Sequence, residues 1–253
     1  LTVYLGDCLS ILPTLDAGSV DCVIADPPYG TTANRWDAVI PFAPLWAELH
    51  RVAKPTAAFV FTASQPFTSA LVMSNPREFR HEWVWIKNRG SNFANTVREP
   101  MKEHESVVVF SRGGWTYNAQ RQERAEGGRS RVGYAFNSDV AQQTTNYGAL
   151  SGQRAAQLPE LRGPSTAQRF NCEVGLHPTQ KPVDLLAYLI RTYTNPGDTV
   201  LDFCAGACST GVACIREGRG FVGIEEAPDY FKIGEARLAH EAARGRQLAL
   251  EGA

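Results

Sequence analysis

The chain has 253 residues, of which 43% are hydrophobic and 20% charged, and its formal net charge is −1. That composition fits an ordinary globular protein with room for one large α/β domain or two small ones. A net charge so close to zero excludes a globally basic nucleic-acid binder, so any such contact must come from a local patch. No run approaches the ~18 consecutive apolar residues of a membrane span. The first residues carry Asp7 and no basic segment, unlike a signal peptide, so a cytoplasmic protein with no membrane partner is expected. The six cysteines (8, 22, 172, 204, 208 and 214) form no paired framework. Cys172, His177, Cys204 and Cys208 lack the tight pairs of a zinc site, so no metal is expected.

In chain order, Val3-Tyr4-Leu5 is a short apolar run before Gly6-Asp7, and residues 20–25 are another before Asp26. Residues 41–52 place Ile40, Leu45, Trp46, Leu49 and Val52 at helical spacing, with Pro41 suited to a first turn. Residues 57–62 read as a buried strand, 65–73 as a helix, and 82–86 and 107–110 as further strands, with a turn at Asn75-Pro76.

From Arg112 to Asn171 the apolar periodicity is lost. This stretch holds eight arginines, no lysine and four acids, a balance of +4 in a chain of −1. A loop of that length in a compact domain is normally functional or disordered. Arginine suits phosphates and guanine edges, and its Asn and Gln suit adenine edges, so a DNA-facing segment is expected.

The α/β pattern then resumes, with helices expected over 183–193, 209–217 and 228–242. Strands 199–201 and 220–224 end on Asp202 and Glu225. Four strands thus end on carboxylates. Ligands of an open parallel α/β sheet bind outside the carboxyl ends of its strands, which predicts Asp7, Asp26, Asp202 and Glu225 on one rim. The expected organisation is one α/β domain built from 1–111 and 172–253, with 112–171 inserted as a target-recognition segment.

Asp26 opens the sequence Asp26-Pro27-Pro28-Tyr29-Gly30. The exocyclic amine of a nucleobase is a weak nucleophile because its lone pair is delocalised into the ring. Accepting hydrogen bonds from both amine protons localises that pair. A carboxylate (Asp26) and a rigid backbone carbonyl (that of Pro27) would do this, and two prolines fix φ and remove competing donors. Tyr29 offers a flat face for a base extruded from its stack. Downstream, Asp202-Phe203-Cys204-Ala205-Gly206 is a strand-to-glycine turn, and Glu225 follows Asp202 by 23 residues. That spacing suits a nucleoside ligand whose ribose is held by the acid.

The Asp-Pro-Pro-Tyr sequence resembles the catalytic motif of amino-group DNA methyltransferases, and Asp in its first position favours adenine. His177-Pro178-Thr179-Gln180-Lys181-Pro182 resembles the element of the β class that contacts S-adenosylmethionine. Catalytic loop, recognition stretch and then cofactor motifs is the circularly permuted order of that class, and the resemblance covers nearly the whole chain. It implies a Rossmann-like fold with a mostly parallel sheet and helices on both faces. It also implies an S-adenosylmethionine-dependent DNA adenine-N6 methyltransferase of a bacterial or phage restriction-modification system. The alternatives are a cytosine-N4 enzyme and a DNA-binding relative with weakened donor binding. Double-stranded DNA is the expected partner, and a second copy in a homodimer is the other partner considered.

By the same resemblance Asp26, Pro27, Pro28 and Tyr29 are the catalytic residues. Asp7 would face the donor's adenine, Glu225 its ribose and Asp202 its amino group, with Asp26, Phe203, Ala205 and Gly206 around it. His177, Thr179 and Lys181 would lie toward its far side. One departure stands out. Where the family has a second glycine this chain has Cys208, which would cost about 1 kcal/mol or more at a left-handed position.

Overall fold

The computed structural model describes residues 1–32, 37–124, 160–173, 175 and 180–251. In chain order these form β1 (Thr2–Leu5), α1 (Cys8–Ile11), β2 (Val20–Ala25), α2 (Phe42–Val52), β3 (Ala53–Ala63), α3 (Phe67–Ser74), β4 (Phe79–Ser91) and β5 (Lys102–Phe110). There follow β6 (Gln122–Glu123), β7 (Leu161–Arg162), β8 (Ala167–Phe170), α4 (Val183–Tyr193), β9 (Thr199–Asp202), α5 (Ser209–Glu217), β10 (Gly220–Glu225) and α6 (Pro228–Glu251).

The chain divides into two compact units, residues 1–118 with 166–253, and residues 119–165. In the second, β6 and β7 pair antiparallel. The first is built on an eight-stranded sheet in the order β1-β10-β9-β2-β3-β5-β4-β8. Strand β5 alone runs against its neighbours, and all the other pairings are parallel.

Alternation along the strands decides what each face buries. Cys22 and Ile24 of β2, with Val107 and Val109 of β5, point to the side covered by α4, α5 and Leu238 of α6. Val23 and Ala25, with Val108 and Phe110, point to the side covered by α1, α2 and α3. Both faces are therefore apolar, which is why these strands read as continuous hydrophobic runs rather than alternating ones. The result is the Rossmann-like α/β architecture expected.

Several elements are longer than the sequence suggests. Strand β4 runs from Phe79 to Ser91 and β5 begins at Lys102, because the two extend as a hairpin whose far end is polar and exposed. The inserted stretch is also narrower than 112–171. Ala167–Phe170 is a strand of the main sheet, parallel to β4, and the Trp85 indole N–H donates to Phe170 O at 2.9 Å. Its sequence, Ala-Gln-Arg-Phe, carries no apolar alternation because only Gln168 of the four is buried.

Candidate active site

The connections β9-α5-β10 and β2-α2-β3 leave the centre of the sheet in opposite directions. A crevice therefore opens between the carboxyl ends of β9 and β2, the switch point at which such folds bind ligands. Strands β1, β10, β9 and β2 are consecutive neighbours, and they end at Asp7, Glu225, Asp202 and Asp26. Parallel neighbours lie ~4.8 Å apart, so the four carboxylates predicted for one rim stand in a row along it.

Asp26 is the most heavily engaged of them. Its Oδ1 accepts from the Tyr29 hydroxyl at 2.7 Å and from the Thr62 hydroxyl, and its Oδ2 accepts from Lys181 Nζ at 2.6 Å. Lys181 is only 7% exposed, and its Nζ also lies 3.4 Å from Glu105, which Lys87 pairs from the other side. The sequence placed Lys181 beside a donor; in the structure its ammonium meets Asp26. Tyr29 also differs from the free aromatic platform expected. Its ring stacks on Phe67 with centroids 5.2 Å apart, and the Lys181 ammonium lies 5.6 Å from its centroid. Burial first, and the Asp26 charge second, hold its hydroxyl well above the usual range, so Tyr29 stays a neutral donor.

The loop that carries these groups is tied down by a residue the sequence reading passed over. Asp37, 7% exposed, accepts from the backbone N–H groups of Tyr29 (2.7 Å) and Gly30 (2.9 Å) on one oxygen. Its other oxygen accepts from Thr31 (2.9 Å) and Thr32 (2.6 Å). Burial pushes its carboxyl up, but the Thr32 hydroxyl and the backbone donors outweigh that and the net shift is downward. Gly30, at φ 68°, supplies the left-handed turn that aims successive N–H groups at one carboxylate. The only hint in the sequence is an isolated acid a few residues past Gly30. Thr62, near the end of the buried β3, reads in the sequence only as a strand residue.

On the other side of the crevice, Asp202 is 3% exposed and accepts from Cys204 N–H at 3.0 Å and the Thr210 hydroxyl at 2.6 Å. Burial pushes its carboxyl up to about 7. The Thr210 and Cys204 hydrogen bonds act against that rise, and the nearby Asp26 and Glu225 charges add to it. No cationic side chain pairs with Asp202 among the described residues. A buried carboxylate of this kind is a receptor for a cationic ligand group. Glu225 accepts from Gly206 N–H (2.7 Å) and Ala227 N–H (2.8 Å), which fixes its carboxylate and leaves lone pairs for hydroxyl donors. Asp7 caps α1 by accepting from Ser10 N–H at 3.0 Å.

The turn between β9 and α5 is strained where the sequence predicted it. Gly206 has φ 51°, and Cys208 has φ 55° and ψ 40°, left-handed for a residue with a side chain. Ala205 N–H donates to Ile224 O at 2.8 Å, and Arg237 donates to Ala207 O at 3.0 Å, so strand β10 and helix α6 clamp the turn. Phe203 departs from its expected place. Its ring packs edge-on to Phe61 at 5.7 Å in the apolar layer under α1–α3, so only its backbone lies at the rim. His177 and Thr179 lie outside the described residues.

A family model described as DNA methylase, of the N6/N4 amino-group type, matches residues 20–236. The DNA adenine methyltransferase YhdJ of Escherichia coli (strain K12) is 31% identical over 252 residues, covering 94% of this chain and 82% of that protein. Among solved structures, the M1.HpyAVI–SAM complex is similar with a TM-score of 0.63 at 23% identity, covering 94% of this chain and 99% of that one. The cytosine-N4-specific PvuII DNA methyltransferase has a TM-score of 0.65 at 16% identity, covering 96% and 91%. At those identities the structures speak for the fold.

Proposed function

Given that the chain belongs to the DNA methylase family of N6/N4 amino-group enzymes, we propose that it methylates the exocyclic N6 amine of adenine in double-stranded DNA, with S-adenosylmethionine as donor. The observation that carries this reading is the pairing, across one crevice, of an anionic acceptor on a proline-rigid loop with an unpaired buried carboxylate. Asp26 is the first and Asp202 the second. The reading of adenine rests on Asp in the first position of the motif and on the adenine methyltransferase at 31% identity.

The residues present fit the donor. Asp202, buried without a cation of its own, would hold the cationic amino group, and Glu225 the ribose hydroxyls. Gly206 and Ala205 would let the backbone approach closely. When bound, the donor supplies an electrophilic methyl carbon.

The chain's own contribution is to make the amine nucleophilic and to place it. Asp26 keeps acceptor capacity beyond its three protein donors, because an ionised carboxylate offers about four lone-pair sites. With the Pro27 carbonyl it would accept from the two amine protons and localise the nitrogen lone pair toward the methyl group. Tyr29 and Thr62 fix the carboxylate, and Asp37 fixes the loop, so little reorganisation remains at the moment of reaction. The amine nitrogen would gain the methyl carbon, leaving the donor a neutral thioether, and would release its extra proton to solvent.

The test is nucleoside analysis of plasmid DNA from a host expressing the protein, with Asp26→Ala as control. N6-methyladenine should appear with the wild type, and the variant should fall by at least ~100-fold while its donor affinity stays nearly unchanged. N4-methylcytosine would overturn the assignment of the base, and variant activity within about tenfold of wild type would overturn the role of Asp26.

A further inference from the structure

Strands β4 and β5 carry Trp83-Val84-Trp85-Ile86-Lys87 and His104-Glu105-Ser106, sequences that stand out in the chain and that the reaction as described does not use. The structure joins their charged members to the catalytic carboxylate. Lys87 of β4 pairs with Glu105 Oε1 of β5, Glu105 Oε2 lies 3.4 Å from Lys181 Nζ, and Lys181 Nζ lies 2.6 Å from Asp26 Oδ2. The middle of this chain is dry. Lys181 is 7% exposed, the Glu105 side chain 15% and that of Lys87 9%. Among the described residues, Glu105 Oε2 has no hydrogen-bond partner besides that ion pair. Four charges alternate in sign, and no member of the chain is balanced without its neighbours.

We propose that Glu105 is a positioning residue for methyl transfer, holding the Lys181 ammonium against Asp26 so that Asp26 stays an ionised acceptor of fixed orientation. Lys87 fixes Glu105 in turn. This rests on the reading of Asp26 as the acceptor of the target amine. It moves Lys181 from the donor to the acceptor side of the crevice.

Removing a carboxylate from water disfavours its ionised form unless an opposite charge is near. Asp26 and Glu105 each face the same ammonium. Without it they would be two like charges in a partly desolvated site, where one tends to keep a proton. A protonated Asp26 loses acceptor capacity at the atom that must receive the amine. Lysine is otherwise a flexible point charge; here the second carboxylate and the Tyr29 ring confine it. Burial alone would favour loss of its proton, and Asp26 and Glu105 together more than offset this, so its pKa stands above the ordinary value.

The groups facing Lys181, among the described residues, are Asp26 from β2, Glu105 from β5 and Tyr29 from the catalytic loop. Lys87 of β4 lies behind Glu105, Thr62 of β3 donates to Asp26, and the Asp26 charge acts in turn on Asp202 of β9.

The experiment measures turnover against pH, at saturating donor and DNA, for wild type, Lys181→Met, Glu105→Gln and the double variant. Donor affinity is measured beside it by calorimetry. Lys181→Met leaves the two carboxylates facing each other, so the acid limb of its profile should rise by about one pH unit or more. Adding Glu105→Gln should return roughly half or more of that rise, a rescue that a merely structural role for either residue would not give. Glu105→Gln alone leaves Lys181 without its second anchor, so its limb should also rise, by less than in Lys181→Met. Donor affinity in Lys181→Met should stay within about threefold.

An acid limb unmoved in Lys181→Met, a double variant no lower than the single, or a collapse of donor affinity overturns the proposal. If Lys181→Met does not fold, the direction of the Glu105→Gln shift decides alone: downward or unchanged overturns it. A folded wild type that methylates no DNA overturns instead the reading of Asp26 beneath it.

Discussion

The sulfur of Cys208 occupies the space that a side chain on Gly234 would need: a Cβ built there would lie 2.5 Å from Cys208 Sγ and 3.3 Å from Gly206 O. Helix α6 thus carries a glycine opposite the one residue of the β9–α5 turn that holds a left-handed conformation with a side chain. The strain at Cys208 has a partner, and the thiol it places is fully buried.

The pair should behave as a unit. Gly234→Ala should destabilise by about 1–3 kcal/mol through overpacking. Cys208→Gly should be close to neutral, because relief of ~1 kcal/mol of backbone strain offsets the loss of a buried thiol. The double variant should be more stable than Gly234→Ala by at least ~1 kcal/mol, a coupling read from urea unfolding. Additive effects would show that the two positions are independent. A gain in donor affinity in Cys208→Gly would show that the turn is impaired rather than co-adapted.

Asp37 gathers four N–H groups from the catalytic loop without approaching Asp26 through a bond of its own. Asp37→Ala should lower kcat by about tenfold or more, since small displacements of reacting groups cost that much, and should leave donor affinity unchanged. Asp37→Asn should be no better, because its amide turns two donors toward a cluster of donors. A wild-type kcat in both variants would remove Asp37 from the account.

Asp202 makes the protein respond to pH in a stated direction. Its carboxyl titrates at about 7 in the folded chain against an ordinary 3.8, so the folded state holds the proton more tightly. The stability this contributes is full below pH ~4 and lost as pH rises through ~7. Asp202→Asn should therefore gain in thermal stability over wild type as pH rises from 5 to 8, by an order of a few kcal/mol. Binding of a cationic donor favours the ionised form and should release a proton at pH ~6–7. Calorimetry in buffers of different ionisation enthalpy measures it, and proton uptake would contradict the placement. Asp202→Ala and Glu225→Ala should each weaken the donor by about 1.5–3 kcal/mol.

Residues 112–171 carry a net +4, and we propose that they supply DNA contacts. Binding should then weaken with salt in proportion to the phosphates neutralised. Arg129 and Arg131 lie outside the described residues, so the variant pair Arg129→Ala, Arg131→Ala is chosen on charge alone. It should lower DNA affinity and flatten the salt dependence without touching donor affinity, as titrations at several salt concentrations will show.

What was legible in the sequence is what the chain encodes locally. Four apolar runs ending on carboxylates, a proline-rigid loop and a strand-glycine-helix turn each declare themselves within a dozen residues. The partners that complete the site do not. Lys181 finds Asp26 across 155 positions, and its destination depends on how β2 and the segment before α4 meet in space. Phe203 looked like a site residue because it follows Asp202, yet strand alternation sends its ring into the core. Strand β8 was hidden because an edge strand beside β4 needs little apolar surface of its own. The room for Cys208 lies on another helix, 26 residues on, where a glycine has no local reason to be noticed.

The sheet order also bears on how the protein is made. Strand β1 has one neighbour in the sheet, β10, whose residues leave the ribosome more than 200 positions later. The nascent chain can assemble β2 to β5, and with them Asp26, Tyr29 and Thr62, long before β1 has anything to pair with. Contacts of such high sequence separation form slowly, and an unpaired strand is exposed to wrong partners while it waits. The half of the crevice containing Asp26 can thus exist early, whereas the half containing Asp7 and Glu225 is closed only after β10 has emerged.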